Sequence, residues 1–338
     1  MSIDFRILGD PARDNALFVR VQPGQTLHRL LFDCGEGCLS ALPVSEVQAI
    51  DHLCFSHLHM DHIGGFDSLF RVTYNRESKP LRAWGPPETA RILHHRFQGF
   101  LWNLYEGQPG TWYVSDLHPD HSEGWRFEAG EAFAQAHEAG TRPFDGTLLD
   151  DPVFTVSALH MDHLTPSLAY IVREKPRVNV DIARMAALGL HPGPWLQRVK
   201  APQPADPPTI EIDGARHTIA DLRARLLVET LGDSIAYLTD FLLDAAAMER
   251  LSVVLHGCRT LVCESQYRSA DAELARKYHH MTAAQAAELA QRARVDRLIL
   301  IHVSARYRPA EWLALLDEAR AIFPNTTFPD HWRLTSGA

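Results

Sequence analysis

The chain reads as an α/β protein with sheets in the middle and helices outside, and three observations predict it. The front half is mostly short runs of alternating or β-branched apolar residues; in the back half strands alternate with helical stretches; and several strands end in a residue able to bind a metal. The 338 residues are 46% hydrophobic and 22% charged, which supplies a large core in one large domain or two modest ones.

Taken in order, Ile3, Phe5 and Ile7 alternate with polar residues and predict a strand. Residues 15–21 and 27–32 predict two more, turned at Pro23-Gly24. The turn Asp33-Cys34-Gly35-Glu36-Gly37 follows, then a short helix over 44–50. Residues 53–56 form a short strand that delivers a histidine-rich loop. Residues 153–159 predict a strand running into His160-Met161-Asp162-His163, and 169–172 continue the pattern. Four prolines (Pro202, Pro204, Pro207, Pro208) make 201–214 a loop. Residues 234–238 are a strand ending at Thr239-Asp240. Residues 244–250 and 282–293 are helical, with Thr282 as N-cap of the second. Residues 261–264 and 298–302 are buried strands. The aromatic-rich stretch 94–122 (Phe97, Phe100, Trp102, Tyr105, Trp112, Tyr113) reads as aromatic core, with a lid or a dimer contact as the other options.

No apolar run approaches the roughly 20 residues of a membrane span. The start, Met-Ser-Ile-Asp-Phe-Arg, has neither the basic region nor the apolar stretch of a signal peptide, so a cytoplasmic protein is expected. Cys34, Cys38, Cys54, Cys258 and Cys263 lack zinc-ribbon spacing and read as reduced, mostly buried thiols. A net charge of −9 argues against nucleic-acid binding over the whole surface but allows a local basic patch.

The chemistry concentrates in His57-Leu-His-Met-Asp-His62. His57, His59, Asp61 and His62 place three imidazoles and a carboxylate within six residues. These donors suit zinc and related divalent metals, and four so close suggest two ions. His57 and His59 can point the same way from an extended turn, while Asp61 and His62 follow a change of direction. Asp240 and His302 also stand at strand ends, where fixed ligand geometry is easiest to build.

These residues lie in longer motifs. His57-Leu-His-Met-Asp-His-Ile-Gly-Gly65 resembles the metal-binding signature of the metallo-β-lactamase fold superfamily. The likeness extends to the ribonuclease Z family of tRNA 3′-processing endonucleases. Leu31-Phe-Asp-Cys-Gly-Glu36 looks like its first motif, and His163-Leu-Thr-Pro-Ser-Leu-Ala-Tyr170 resembles the stretch with its third-strand histidine. Ile235-Ala-Tyr-Leu-Thr-Asp240 looks like the strand with its bridging aspartate. Leu261-Val-Cys-Glu-Ser265, Tyr278-His-His-Met-Thr-Ala-Ala-Gln-Ala-Ala287 and Leu298-Ile-Leu-Ile-His-Val-Ser-Ala-Arg-Tyr307 are similar to its later motifs.

The resemblance implies a metallo-β-lactamase-like four-layer αβ/βα sandwich and two zinc ions per chain. His57, His59 and His163 would hold one ion, Asp61, His62 and His302 the other, with Asp240 bridging. His160 competes with His163 as third ligand. A hydroxide between the ions would attack the phosphorus of a precursor tRNA, Asp61 would accept the proton of the attacking water, and His280, oriented by Glu264, would protonate the leaving group or stabilise the phosphate. Arg306 reads as a contact for a substrate phosphate or as half of an exposed salt bridge, and the resemblance implies a homodimer. Residues 173–200 carry six basic residues against two acidic ones, a net of +4, and include Gly193-Pro194-Trp195-Leu196. That segment resembles the arm by which the family grips tRNA, with Trp195 and Arg198 as substrate-binding candidates. The family's usual glycines are replaced by Thr239 before Asp240 and by Ala169 before Tyr170, and Met281 interrupts the run after His280. These departures keep open a hydrolase of the same fold acting on small phosphodiesters, carboxylic or sulfate esters, or lactones.

Overall fold

The computed structural model describes residues 3–22, 26–104, 106–204 and 206–334, so the turn expected at Pro23-Gly24, and Tyr105, lie outside the described residues. The chain divides into two compact units, one of Met1–Arg173 with Asp233–Ala338, the other of Glu174–Gly232.

The first unit opens with eight strands that neighbour one another in sequence order: β1 (Ile3–Leu8), β2 (Ala16–Val21), β3 (His28–Phe32), β4 (His52–Cys54), β5 (Leu81–Gly85), β6 (Thr111–Leu117), β7 (His121–Glu128) and β8 (His137–Pro143). Strands β3 to β6 pair in parallel, and the helices Val44–Gln48, Phe66–Thr73 and Thr89–Phe97 lie in the crossovers that parallel pairing requires. Strands β9 (Thr147–Asp150), β10 (Phe154–Asp162) and β11 (Pro166–Glu174) begin a second sheet. The second unit then contributes β12 (Arg177–Val180), β13 (Thr209–Ile212), β14 (Ala215–Thr218) and β15 (Leu227–Thr230). Strands β16 (Ser234–Leu238), β17 (Thr260–Glu264), β18 (Arg297–Ile301) and β19 (Thr326–Thr327) complete the second sheet, in the order β19-β18-β17-β16-β11-β10-β9. Strands β16 to β19 are parallel, with the helices Ala245–Val254, Ala283–Ala293 and Pro309–Arg320 between them. Asp244 caps the first of these helices at Ala247, and Thr282 closes a capping box with Gln285 on the second.

Three apolar layers hold this unit together. Phe32, Tyr170, Tyr237, Val262 and Ile301 fill the space between the two sheets. Phe66, Phe70, Phe97 and Trp112 pack helices on the outer face of the first sheet. Leu251, Ala286, Ala290 and Leu315 do the same for the second. Three apolar layers between four layers of structure make the αβ/βα sandwich of the metallo-β-lactamase fold. Strands covered on both faces, such as Leu298-Ile-Leu-Ile301, read as continuous apolar runs for this reason. The stretch 94–122 supplies Phe97 and Trp112 to the outer core with Trp102 packed against it, and Phe100 lies more exposed beside Phe70.

The second unit has its own core of Met185, Trp195, Val199, Leu222 and Leu226. It continues well past residue 200, and over its whole length eight basic residues meet seven acidic ones, a net of +1. The loop expected over 201–214 gives way to the β13–β14 hairpin from Thr209 onward. Asp213 and Gly214 both take positive φ (51° and 80°), the backbone of a tight two-residue hairpin turn. The prolines before it masked that Asp-Gly signal. Among the described residues, no helix is long and apolar enough to cross a membrane.

Candidate metal centre

Parallel strands of one sheet end at a common edge, which sets the residues just beyond β16 and β18 side by side, and packing of the two sheets brings the residues beyond β4 of the first sheet to them. His57 follows β4 by three residues, Asp240 follows β16 by two, and His302 follows β18 directly. The β10–β11 turn adds His163. Asp240 and His302 both adopt left-handed φ (50° and 54°), a conformation that non-glycine residues hold only when their surroundings enforce it. The enforcing contacts are present. The Phe241 N–H donates to Glu264 Oε1 at 3.2 Å, and the His302 N–H donates to Asn15 Oδ1 at 2.8 Å.

Two donor sets converge with Asp240 between them. One is His57, His59 and His163, the other Asp61, His62, Asp240 and His302. In the first set, His57 Nε2 and His59 Nδ1 are 3.0 Å apart. In the second, His62 Nε2 lies 3.5 Å from Asp61 Oδ2, and His302 Nε2 lies 3.3 Å from the same oxygen. Asp240 Oδ2 is 3.8 Å from both His57 Nε2 and His163 Nε2, and 3.3 Å from His62 Nε2. His302 Nε2 faces Asp240 Oδ1 at 3.5 Å. Donors on a tetrahedral zinc at ordinary bond lengths stand about 3.4 Å apart, and these spacings bracket that value. His62 Nε2 is buried with no hydrogen-bond partner among the described residues. A buried lone pair aimed at carboxylates is the donor a cation satisfies, so the residues present fit a divalent metal.

A further set of contacts orients the donors. The Asp33 carboxylate accepts from Ser56 N (2.7 Å), Ser56 Oγ (2.7 Å) and Tyr237 OH (3.0 Å), and meets His62 Nδ1 at 2.8 Å. This fixes the His62 ring with Nε2 facing the other donors. His163 Nδ1 donates to the His279 carbonyl at 2.8 Å, with the same effect. The Thr239 hydroxyl donates to Asp240 Oδ1, so the threonine where the family places glycine holds the central carboxylate. Gly64 and Gly65 let the loop close. A Cβ on Gly65 would lie 2.2 Å from the Gly35 carbonyl oxygen, and the Gly65 N–H donates to Cys34 O at 2.8 Å.

Without cations the cluster is strongly polarised. Burial, reinforced by His62, pushes His57 down to about 2. Burial opposes charge on Asp61 and Asp240, yet His302 and His62 hold both carboxyls far below the usual range. Burial disfavours a proton on His62, but Asp240 and Asp33 outweigh it and raise its pKa. Protons and cations therefore compete for the same lone pairs. His280 meets Glu264 Oε2 through Nδ1 at 2.9 Å, and Glu264 outweighs the opposing burial to push its pKa up to about 9.

Other candidates lie elsewhere. His160 is not among the converging donors, and the imidazole that joins His57 and His59 is His163. Arg306 is exposed, its guanidinium 5.3 Å above the Tyr267 ring, which in turn lies 5.9 Å from the His280 ring. In the second unit, Trp195 is a core residue whose indole N–H donates to the His191 carbonyl, so its ring faces the unit's interior. Arg198 pairs with Asp206 at 3.7 Å. Asn15, Asp33, Ser56 and Tyr237 stand in the sequence as ordinary members of motifs or strands. For Asn15, Asp33 and Ser56 the signal is a polar side chain next to an apolar strand, and for Tyr237 a hydroxyl inside one; it shows only once partners are known.

The known proteins agree with this architecture. Residues 28–106 match the family model described as a beta-lactamase superfamily domain. The chain is 49% identical to ribonuclease Z of Deinococcus radiodurans, covering 96% of this chain and 97% of that protein. It is 29% identical to ribonuclease Z of Geobacillus kaustophilus, covering 88% and 84%. Among solved structures, the short form of human tRNase Z superposes with a TM-score of 0.52 at 18% identity, over 97% of this chain and 96% of that one. A metallo-beta-lactamase fold protein from Bacillus subtilis superposes with a TM-score of 0.56 at 15% identity, over 96% and 95%. At those identities the two structures speak to the fold. The extent and level of identity to the Deinococcus protein settle the rest: the chain belongs to the ribonuclease Z family, metal-dependent hydrolases built on the metallo-β-lactamase fold.

Proposed function

We propose that the protein is an endoribonuclease that cuts precursor tRNA at the 3′ end, with two zinc ions at the donor cluster. The observation that carries the reading is the Asp240 carboxylate standing within 3.8 Å of nitrogens from both donor sets. His57 Nε2, His59 Nδ1 and His163 Nε2 would hold one ion, Asp61, His62 and His302 the other, and Asp240 both. Bound there, zinc would acidify water and neutralise charge on the scissile phosphate.

The remaining work belongs to the chain's own side chains. Asp61 is 44% exposed at its side chain, so it can take a proton from water entering the site. Glu264, fully buried, fixes His280 through Nδ1 and favours its protonated form, which suits Nε2 to protonate the leaving 3′ oxygen. Arg306, steadied over Tyr267, is placed by this reading on a substrate phosphate. The second unit is read as the part that grips RNA, through exposed Arg177 and Arg184 on its basic first half rather than through buried Trp195. A cytoplasmic location, with all five thiols free and buried, and a homodimer complete the reading.

The test pairs zinc-loaded protein with precursor tRNA and, separately, with bis(p-nitrophenyl) phosphate. Cleavage after the discriminator base, abolished by Asp61→Ala, is expected. Turnover of the small phosphodiester beside intact precursor would reassign the substrate, and no hydrolysis of either would refute the reading. Light scattering of the purified chain tests the dimer.

A further inference from the structure

A second group of metal donors lies at the tip of the β6–β7 hairpin. Pro119 and Asp120 form the turn, closed by the His118 N–H donating to the His121 carbonyl at 2.8 Å. The turn stacks the two imidazoles with centroids 4.3 Å apart and planes 6° from parallel. Glu123 Oε1 lies 3.4 Å from His121 Nε2, and Glu123 Oε2 lies 3.9 Å from His118 Nε2. His118, His121 and Glu123 thus offer three donors within 4.8 Å of one another.

We propose that these three residues bind a zinc-class divalent ion, separate from the ions of the main centre. Two imidazoles and a carboxylate are a donor set for zinc and neighbouring first-row metals, with water completing the coordination. The donor spacings again lie near the edge length of about 3.4 Å expected around zinc. Asp120 Oδ1 accepts from His121 Nδ1 at 2.7 Å, the carboxylate–histidine pairing that fixes a metal ligand's tautomer and leaves Nε2 for the ion. A plain ion pair would account for His121 and one carboxylate. It does not account for His118 converging on the same Glu123 with its ring stacked on that of His121.

The location gives the ion a structural role. Pro119 shares the wall of a cavity of about 370 Å³ with His160, Asp162, Leu164 and Thr165, the last three in the strand end and turn that hold His163. His160, on the same wall, keeps a buried Nε2 with no hydrogen-bond partner among the described residues. An ion at the hairpin tip would pin Pro119 in the wall of this cavity.

The experiment counts zinc in the full-length protein by elemental analysis after dialysis against micromolar zinc, alongside calorimetric titration of metal-free protein. His118→Asn and His121→Asn should each bind one ion fewer than the parent, whatever number the main centre holds. Asp120→Asn should keep the ion but weaken it by about 10-fold or more, as loss of an orienting partner does. Matching thermal unfolding of the metal-free proteins checks the fold, and Glu123→Gln replaces any histidine variant that fails it, with the same loss expected. Equal counts in parent and variants would overturn the proposal. So would an ion that appears only at millimolar zinc.

Discussion

The backbone N–H of His302 donates to the side-chain oxygen of Asn15 at 2.8 Å, across 287 positions of sequence. Asn15 is 2% exposed and His302 sits at φ 54°, so a buried side chain in the loop just before β2 holds the left-handed turn that ends a strand of the second sheet. Asn15→Ala should leave that N–H unpaired and let the turn relax. The expected result is a metal affinity at the Asp61–His62–His302 set lower by about 10-fold or more, read by calorimetric titration of metal-free protein.

Asp33 gathers two donors from Ser56, one from Tyr237 and the Nδ1 of His62, all in a buried place. Asp33→Asn presents an amide donor to groups that are already donors. A loss of stability of about 3 kcal/mol is expected in denaturant unfolding of the metal-free protein, together with weaker metal binding. Unchanged stability would show that the network is not load sharing.

Gly65 has ordinary negative φ, so its constraint is purely one of space. The Cβ of Gly65→Ala would press on the Gly35 carbonyl, and that backbone cannot swing aside as a flexible side chain would. About 2–3 kcal/mol of destabilisation is expected from the overpacking. Ala at Gly37, where an added Cβ meets nothing within 4 Å, is the contrasting site, limited only by its positive φ of 76°.

Glu264 orients His280 without reaching the substrate itself in this reading. Glu264→Gln should cut the rate of precursor cleavage by about 100-fold, the scale of one general acid, while substrate KM changes little. A rise in KM with an unchanged kcat would assign the pair to binding instead.

His52 lies away from the metal centre, buried beside Trp84, whose indole N–H donates to its Nδ1 at 3.1 Å. Burial lowers its pKa to about 4. The unfolded chain, titrating near 6.5, therefore binds the extra proton first as pH falls. Stability is full above about 6.5 and is lost progressively down to about 4, by up to roughly 3 kcal/mol from this group. His52→Gln should flatten that part of the pH–stability curve relative to the parent, and NMR titration of His52 should place its midpoint near 4.

Much of the site was legible because ligand identity is local chemistry. The pattern His57 to His62, and polar residues closing apolar strands at Asp240 and His302, needs no neighbour to be recognised. The same holds for Thr282, whose cap acts within one helical turn. Residues that work through distant partners were less visible. Asn15 and Asp33 look like ordinary loop residues until sheet packing brings His302 and His62 to them. Trp195 carries an aromatic signal equally suited to a surface or a core, and burial decided it. The β13–β14 hairpin was hidden because prolines upstream dominate the local composition.

The sequence by itself determined the donor types, the strand ends that carry them and the alternation that builds two covered sheets. Tertiary structure alone decided that Asn15 meets His302 and Asp33 meets His62, and that His118, His121 and Glu123 meet at one hairpin tip. The reason is physical. Side-chain chemistry and short-range capping are encoded within a few residues, whereas convergence depends on strand register and on which face of a turn is buried, and both are set by packing against segments far away in the chain.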